Sequence, residues 1–159
     1  MCDPINAQLL RNCGENVIDL AIGNVKAGGL PFAAIIVNQN GEIIGKGVNQ
    51  VEKCLDCTAH AEIQAIREAS RNENNVSLKE TTLIASGEPC TLCYMAIRMA
   101  GMLKVIIVSD RYEAEKYGFD YLWTYKYFNG SLFQELKVMT LDNDRRLLPF
   151  ELAKINLID

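Results

Sequence analysis

The chain has 159 residues, 49% of them hydrophobic and 23% charged, with a net charge of −4. This length fits a single domain, here 1–159, and the composition excludes wholesale disorder. No apolar run approaches the roughly 18–20 residues of a spanning helix, so a transmembrane helix is excluded. No stripe of Lys and Arg offers a track for the phosphates of a long nucleic acid, a disfavoured partner.

The opening residues 1–10 lack a basic stretch followed by an apolar one, so a cytoplasmic location is expected. Asp3–Pro4 reads as an N-cap and first helical residue. Ile5, Leu9, Leu10, Cys13, Val17, Ile18, Ala21, Ile22 and Val25 then recur at helical spacing, until Gly28–Gly29 stops the helix. Residues 32–37 form a short apolar run, 38–41 a turn and 42–48 a return strand, which together make a hairpin. Residues 50–57 read as a loop. Thr58 is placed to cap a helix over 59–70. A strand over 81–86, a helix over 91–100 and a strand over 104–109 follow. This alternation implies crossover connections and a sheet covered by helices on both faces. Beyond Asp110 the chain is rich in aromatics. Short helices are expected near 112–117 and 120–128, a fifth strand or extended segment over 133–141, and a last helix over 150–155. Arg145–Arg146, flanked by Asp142 and Asp144, reads as a solvated turn.

Six cysteines stand at 2, 13, 54, 57, 90 and 93, and there is one histidine, His60. A C-x-x-C alone is often a structural zinc knuckle or a buried thiol pair, and a lone histidine is more often packed than functional. The combination is more specific. His60 and Cys90-x-x-Cys93 each open an expected helix, about thirty residues apart. One imidazole and two thiolates make a three-ligand zinc site with a fourth position open. Two helix N-termini aimed at the metal help to stabilise negative charge there. Glu62, two residues beyond His60, is too close in sequence to be an easy co-ligand. It is placed to take a proton from water at the metal and return it to a leaving amine. A carboxylate there also has a plain helix-dipole reading. H-A-E followed by P-C-x-x-C is the signature of zinc deaminases.

On these motifs the chain resembles the cytidine deaminase-like superfamily, and within it the bacterial guanine deaminase branch. Residues 28–37 (GGLPFAAIIV), 58–67 (TAHAEIQAIR) and 86–93 (SGEPCTLC) carry the resemblance, with weaker matches at 117–120 and 148–150. The resemblance implies a three-layer α/β/α sandwich around a five-stranded mixed sheet, and hydrolytic removal of an exocyclic amine as ammonia. His60, Cys90 and Cys93 would hold one zinc per chain, and Glu62 would shuttle protons. Asn49 would hydrogen-bond the substrate ring, Phe32 would pack on it, and the Ala61 N–H would face it. The substrate would be a small nucleobase or nucleoside. A homodimer is also implied, in which relatives often exchange the C-terminal segment, here about 130–159.

Three positions depart from the branch. Tyr121 stands where a second aspartate usually helps to recognise the purine. A neutral hydroxyl does not replace a carboxylate facing ring N–H donors, and one unpaired donor costs about 1–3 kcal/mol. Asp120 supplies the carboxylate if the local turn differs by one position. Relatives tend to end in an aromatic that closes the pocket, whereas this chain ends Asn156-Leu157-Ile158-Asp159. Cys57 replaces a usual proline and makes a C-x-x-C with Cys54, to be read as inert thiols, a redox pair or a second metal site. The aromatics at 112–128 read either as a lid or as core and interface. Other rings remain open: cytosine or isocytosine, cytidine, or an amino-triazine. A transfer-RNA adenosine deaminase and a non-catalytic zinc-stabilised dimer are the competing classes.

Overall fold

The computed structural model describes residues 6–128 and 130–156. The expected helix start at Asp3–Pro4, Cys2, and the terminal residues 157–159 lie outside the described residues. Helix α1 spans Ala7–Lys26, and the Asn6 side chain caps it by accepting from the Leu9 N–H at 2.8 Å. Cys13, Val17, Ile18, Ala21, Ile22 and Val25 form its buried stripe, as the spacing predicts. Gly28, with φ of +91°, takes the left-handed conformation that ends it.

Strands β1 (Ala33–Val37) and β2 (Ile43–Val48) pair as the expected antiparallel hairpin, with a bulge between Ile36 and Val37. The stretch read as a loop contains a one-turn helix, α2 (Val51–Cys54). Helix α3 spans Ala61–Asn72, and its N-cap is His60 rather than Thr58. Thr58 is diverted: its N–H and hydroxyl both donate to Asp56 Oδ1, at 2.9 and 2.7 Å. An Asx turn before the helix therefore takes the hydroxyl that would have capped it. Strand β3 (Thr82–Gly87), helix α4 (Thr91–Met99) and strand β4 (Lys104–Ser109) match the alternation read from the sequence.

Asp110 and Glu113 form a reciprocal capping box at the start of α5 (Arg111–Lys116). A 3-10 helix follows over Leu122–Tyr127, then α6 (Ser131–Glu135), β5 (Lys137–Thr140) and α7 (Leu148–Asn156). The fifth strand is shorter than expected because α6 occupies the first part of 133–141.

The five strands run in the order β2-β1-β3-β4-β5. β1 is antiparallel to both neighbours, while β3, β4 and β5 are parallel. Alternate residues of the central strands divide between two cores. Ala34, Ile36, Leu83, Ala85, Val105 and Ile107 meet Ala61, Ala65 and Ala69 of α3 and Tyr94 and Ile97 of α4. Ile35, Val37, Ile84, Ile106 and Val108 meet Val17, Ile18 and Ala21 of α1, with Leu148 and Leu152 of α7 packed alongside. The architecture is the three-layer α/β/α sandwich around a five-stranded mixed sheet, with α3 and α4 on one face and α1 and α7 on the other.

Strand direction brings distant residues to one edge. The β1–β2 register pairs Ala33 with Val48, so Phe32 and Asn49 leave the sheet side by side, joined by an Asn49 N–H to Phe32 carbonyl bond of 3.1 Å. The β3–β4 register pairs Gly87 with Ser109, so residues 88–93 leave at the same edge. Parallel strands place such clefts at their carboxyl ends. Helix α3 sits low over β2 because two glycines leave room for it. A Cβ on Gly45 would lie 2.6 Å from the Ala65 carbonyl oxygen, and one on Gly47 would press still closer on that of Ala61.

Candidate metal centre and cavity

The N-caps of α3 and α4 are His60 and Cys90, and neither side chain caps its own helix. Ser, Thr, Asp or Asn at such a position stabilises a helix by about 1 kcal/mol. Here the cap side chains turn toward each other instead. His60 Nδ1 lies 3.4 Å from Cys90 Sγ and 3.4 Å from Cys93 Sγ, and the two sulfurs are 3.7 Å apart. Tetrahedral zinc, with Zn–S about 2.3 Å and Zn–N about 2.0–2.1 Å, holds sulfurs about 3.8 Å apart and nitrogen about 3.6 Å from each. The three donors therefore fit zinc in both type and spacing. They form the one group of three or more potential ligands among the described residues, so no second metal cluster forms there around Cys54 and Cys57.

The protons in the metal-free cluster are shared unequally. Hydrogen bonds from Cys93 and His60 pull the Cys90 thiol down to about 4, against the opposing effect of burial. The hydrogen bond to Cys90, with burial, drives Cys93 up. The bond to Cys90 also raises His60. A metal cation bound there would displace the protons these groups hold between them.

Glu62 is only 4% exposed. Burial is the main cause that pushes its carboxyl up to about 7, followed by the neighbouring Cys90 charge. A carboxylate poised near neutrality suits an acid–base role.

These groups open onto a cavity of about 290 Å³. All nine residues singled out from the sequence reach this place: Asn49, Phe32, Ala61, Asp120 and Tyr121 line it with His60, Glu62 and Cys90, while Cys93 sits behind in the metal cluster. Asn49 is buried, and its Oδ1 accepts from the Val51 N–H at 3.2 Å, which orients the amide. Ala61 is the first residue of α3, where a helix leaves its N–H groups without intrahelical partners. Phe32 stands edge-on to Phe119, Tyr121 and Phe150, at centroid distances of 5.8, 6.0 and 5.6 Å. Tyr121 donates its hydroxyl to the Glu88 carbonyl at 2.6 Å. Asp120 is exposed at the rim, and one of its oxygens accepts from the Leu122 N–H at 3.0 Å.

Sequence reasoning missed a brace behind Cys90. The Glu88 carboxylate accepts from the Tyr94 hydroxyl at 3.2 Å and from the Arg111 backbone at 3.0 Å, and pairs with the Arg111 guanidinium at 3.3 Å. That guanidinium lies 4.0 Å from the ring centre of Tyr125, whose hydroxyl donates to the Pro89 carbonyl. A carboxylate directly before Pro89–Cys90 was the available signal, but its partners are remote in the chain. The aromatic tail is divided. Phe119 and Tyr121 wall the cavity and Tyr125 braces it, while Trp123 and Tyr127 are exposed.

Residues 11–109 match the family model for the cytidine and deoxycytidylate deaminase zinc-binding region. The chain is 39% identical over 113 residues to the guanine deaminase of Bacillus subtilis, covering 70% of this chain and 72% of that one. It is 46% identical over 79 residues to the tRNA-specific adenosine deaminase of Aquifex aeolicus, about half of each chain (50% and 52%). The crystal structure of the Bacillus subtilis guanine deaminase superposes with a TM-score of 0.70 at 33% identity, over 89% of this chain and 90% of that one. A guanine deaminase from Nitrosomonas europaea superposes with a TM-score of 0.77 at 24% identity over 92% and 84%, a likeness of fold.

Proposed function

We propose, for a chain that belongs to the cytidine and deoxycytidylate deaminase zinc-binding family, a zinc-dependent hydrolase that releases ammonia from a purine base such as guanine. The observation that carries this reading is the placement of Glu62. It is a buried carboxylate beside the His60–Cys90–Cys93 donors, at the end of an aromatic-walled cavity. A scaffold held together by zinc has no use for that carboxylate.

Zinc, held by His60, Cys90 and Cys93, would lower the pKa of water so that it attacks near neutral pH. The chain's own residues do the rest. Glu62 accepts the proton of the attacking water and delivers it to the departing amine. Asn49 and the Ala61 N–H orient the ring by hydrogen bonds. Phe32 and Phe119 restrict it to a planar shape. The likeness to the Bacillus subtilis guanine deaminase supports a purine.

Tyr121 favours a second reading. Its hydroxyl is engaged by the Glu88 carbonyl, and the nearby Asp120 carboxylate is exposed at the rim. A ring with fewer N–H donors opposite the amine, such as cytosine, isocytosine or an amino-triazine, or the nucleoside cytidine, suits that wall. A net charge of −4 argues against transfer RNA.

No helix among the described residues is long and apolar enough to cross a membrane. We read residues 1–159 as one catalytic domain working in the cytoplasm as a homodimer, about 130–159 being the segment suited to exchange. The exposed Leu92, Met95 and Met99 on α4, with Trp123 and Tyr127, supply an apolar face for that pairing.

The test is ammonia release by the zinc-loaded protein from guanine, guanosine, adenine, cytosine, cytidine, isocytosine, melamine-type triazines and an anticodon hairpin. Release from one small base, lost in Glu62→Gln with zinc retained, is the expected result. Release from the hairpin alone, or full activity in Glu62→Gln, overturns the reading.

A further inference from the structure

The second C-x-x-C lies in the segment that connects two residues of the cavity. Asn49 begins this segment and His60 ends it. Between them the chain is closed on itself by the Gln50 N–H to Ala59 carbonyl bond of 2.9 Å. Helix α2 stops at Cys54. Leu55, at φ of +50°, turns the chain back, with its N–H on the Glu52 carbonyl at 3.3 Å and that of Asp56 on the Val51 carbonyl at 3.1 Å. This paired helix-ending turn lies between the two thiols. Both are free and exposed. Cys54 Sγ makes one weak bond, 3.7 Å to Gln50 Oε1, and the same oxygen accepts from Gln64 of α3 at 3.2 Å. Cys57 leads directly into the site, since tight turns carry the chain from it to His60: the Ala59 N–H bonds the Asp56 carbonyl at 3.0 Å and the His60 N–H bonds the Thr58 carbonyl at 2.7 Å.

We infer that Cys54 and Cys57 form a thiol pair whose oxidation to a disulfide reshapes the turn that leads into His60 and so weakens the hold of His60 on the metal. Hydrogen peroxide is the oxidant, and solvent supplies the proton that each departing hydroxide takes up to leave as water. One thiolate attacks a peroxide oxygen, the O–O bond breaks, and a sulfenic acid and one water form. The second thiolate attacks that sulfenic sulfur, the S–S bond forms, the S–O bond breaks, and a second water leaves. Two electrons pass from the sulfurs to the peroxide. The bridge fixes the two Cα atoms roughly 4.4–6.8 Å apart and the Cβ–S–S–Cβ dihedral at about ±90°, which the free thiols are not held to. The inference rests on the assignment of His60 as a metal ligand.

Trypsin cuts after Lys53 and Arg67, releasing a fragment 54–67 that holds these two cysteines and no other. The zinc-loaded protein is exposed to hydrogen peroxide, alkylated and digested, and its bound zinc and turnover are followed in parallel. The expected result is a fragment lighter by about two mass units that resists alkylation, for loss of two hydrogens. Zinc retention and turnover should fall several-fold alongside, and dithiothreitol should restore both. Cys54→Ser should keep the untreated activity and resist peroxide. Two alkylatable thiols after treatment, or a disulfide that leaves zinc retention unchanged, overturns the inference. The mass reading needs no metal, so a chain that binds no zinc before oxidation counts against the proposed function while the disulfide is still scored.

Discussion

Residues 33–109 and residues 111–156 do different work and are built from different materials. The first region is built around β1 and β3, buried along their whole length, and is flanked by helices with small residues at their contacts, such as Ala65 and Ala69 under Gly45 and Gly47. It supplies the proposed zinc donors and Glu62, and the family match ends with it at Ser109. The second region has short helices, a 3-10 turn and an edge strand exposed along its whole length. It supplies the outer wall of the cavity, Phe119 to Tyr121. The proposed chemistry, which tolerates little displacement, sits on packed elements, and the outer wall of the cavity sits on a looser segment.

Mutations should separate the two regions. The largest effect is expected at the metal: His60→Ala should lose zinc and bring turnover to background, read by metal analysis and ammonia release. Chelation followed by added zinc should abolish and then restore the wild-type rate. Glu62→Gln comes next, with a fall of about 10²–10⁴-fold in turnover and zinc still near one per chain. A loss below tenfold would remove Glu62 from its proposed role. Gly47→Ala should destabilise the fold by about 1–3 kcal/mol in urea unfolding, since α3 must shift to admit a Cβ. An unchanged midpoint would contradict the close approach. In the second region, Tyr121→Phe removes the bond to the Glu88 carbonyl and should cost about 0.5–1.5 kcal/mol. That cost should show as altered preference among bases, with zinc content unchanged. If zinc is lost instead, the division between the regions fails. Trp123→Ser should move stability by less than about 0.5 kcal/mol. Its expected consequence is a weaker dimer, seen by sedimentation.

The first region was legible because its signals are local. Apolar runs mark β1, β3 and β4, and the spacing of His60, Glu62, Cys90 and Cys93 carries its own chemistry. What escaped depends on partners that spacing does not reveal. Thr58 could have capped α3, but the carboxylate of Asp56 took its hydroxyl. The Glu88–Arg111 pair joins residues 23 positions apart. Tyr and Trp suit a lid, a core and an interface alike, so the tail gave no preference until Tyr121 was seen bonded to Glu88. Exposed β5 carries no apolar alternation to announce its ends.

The seating of α3 has a mechanical consequence. At Gly45 and Gly47 the backbone of the helix comes close to bare strand backbone, with only the Cβ atoms of Ala69 and Gln64 beside it. Side chains yield by changing rotamer, whereas a backbone contact has no such freedom. The helix start bearing His60 and Glu62 is therefore coupled stiffly to β2. Strain applied to that outer strand would be passed on to the helix start that carries Glu62, the proposed proton carrier.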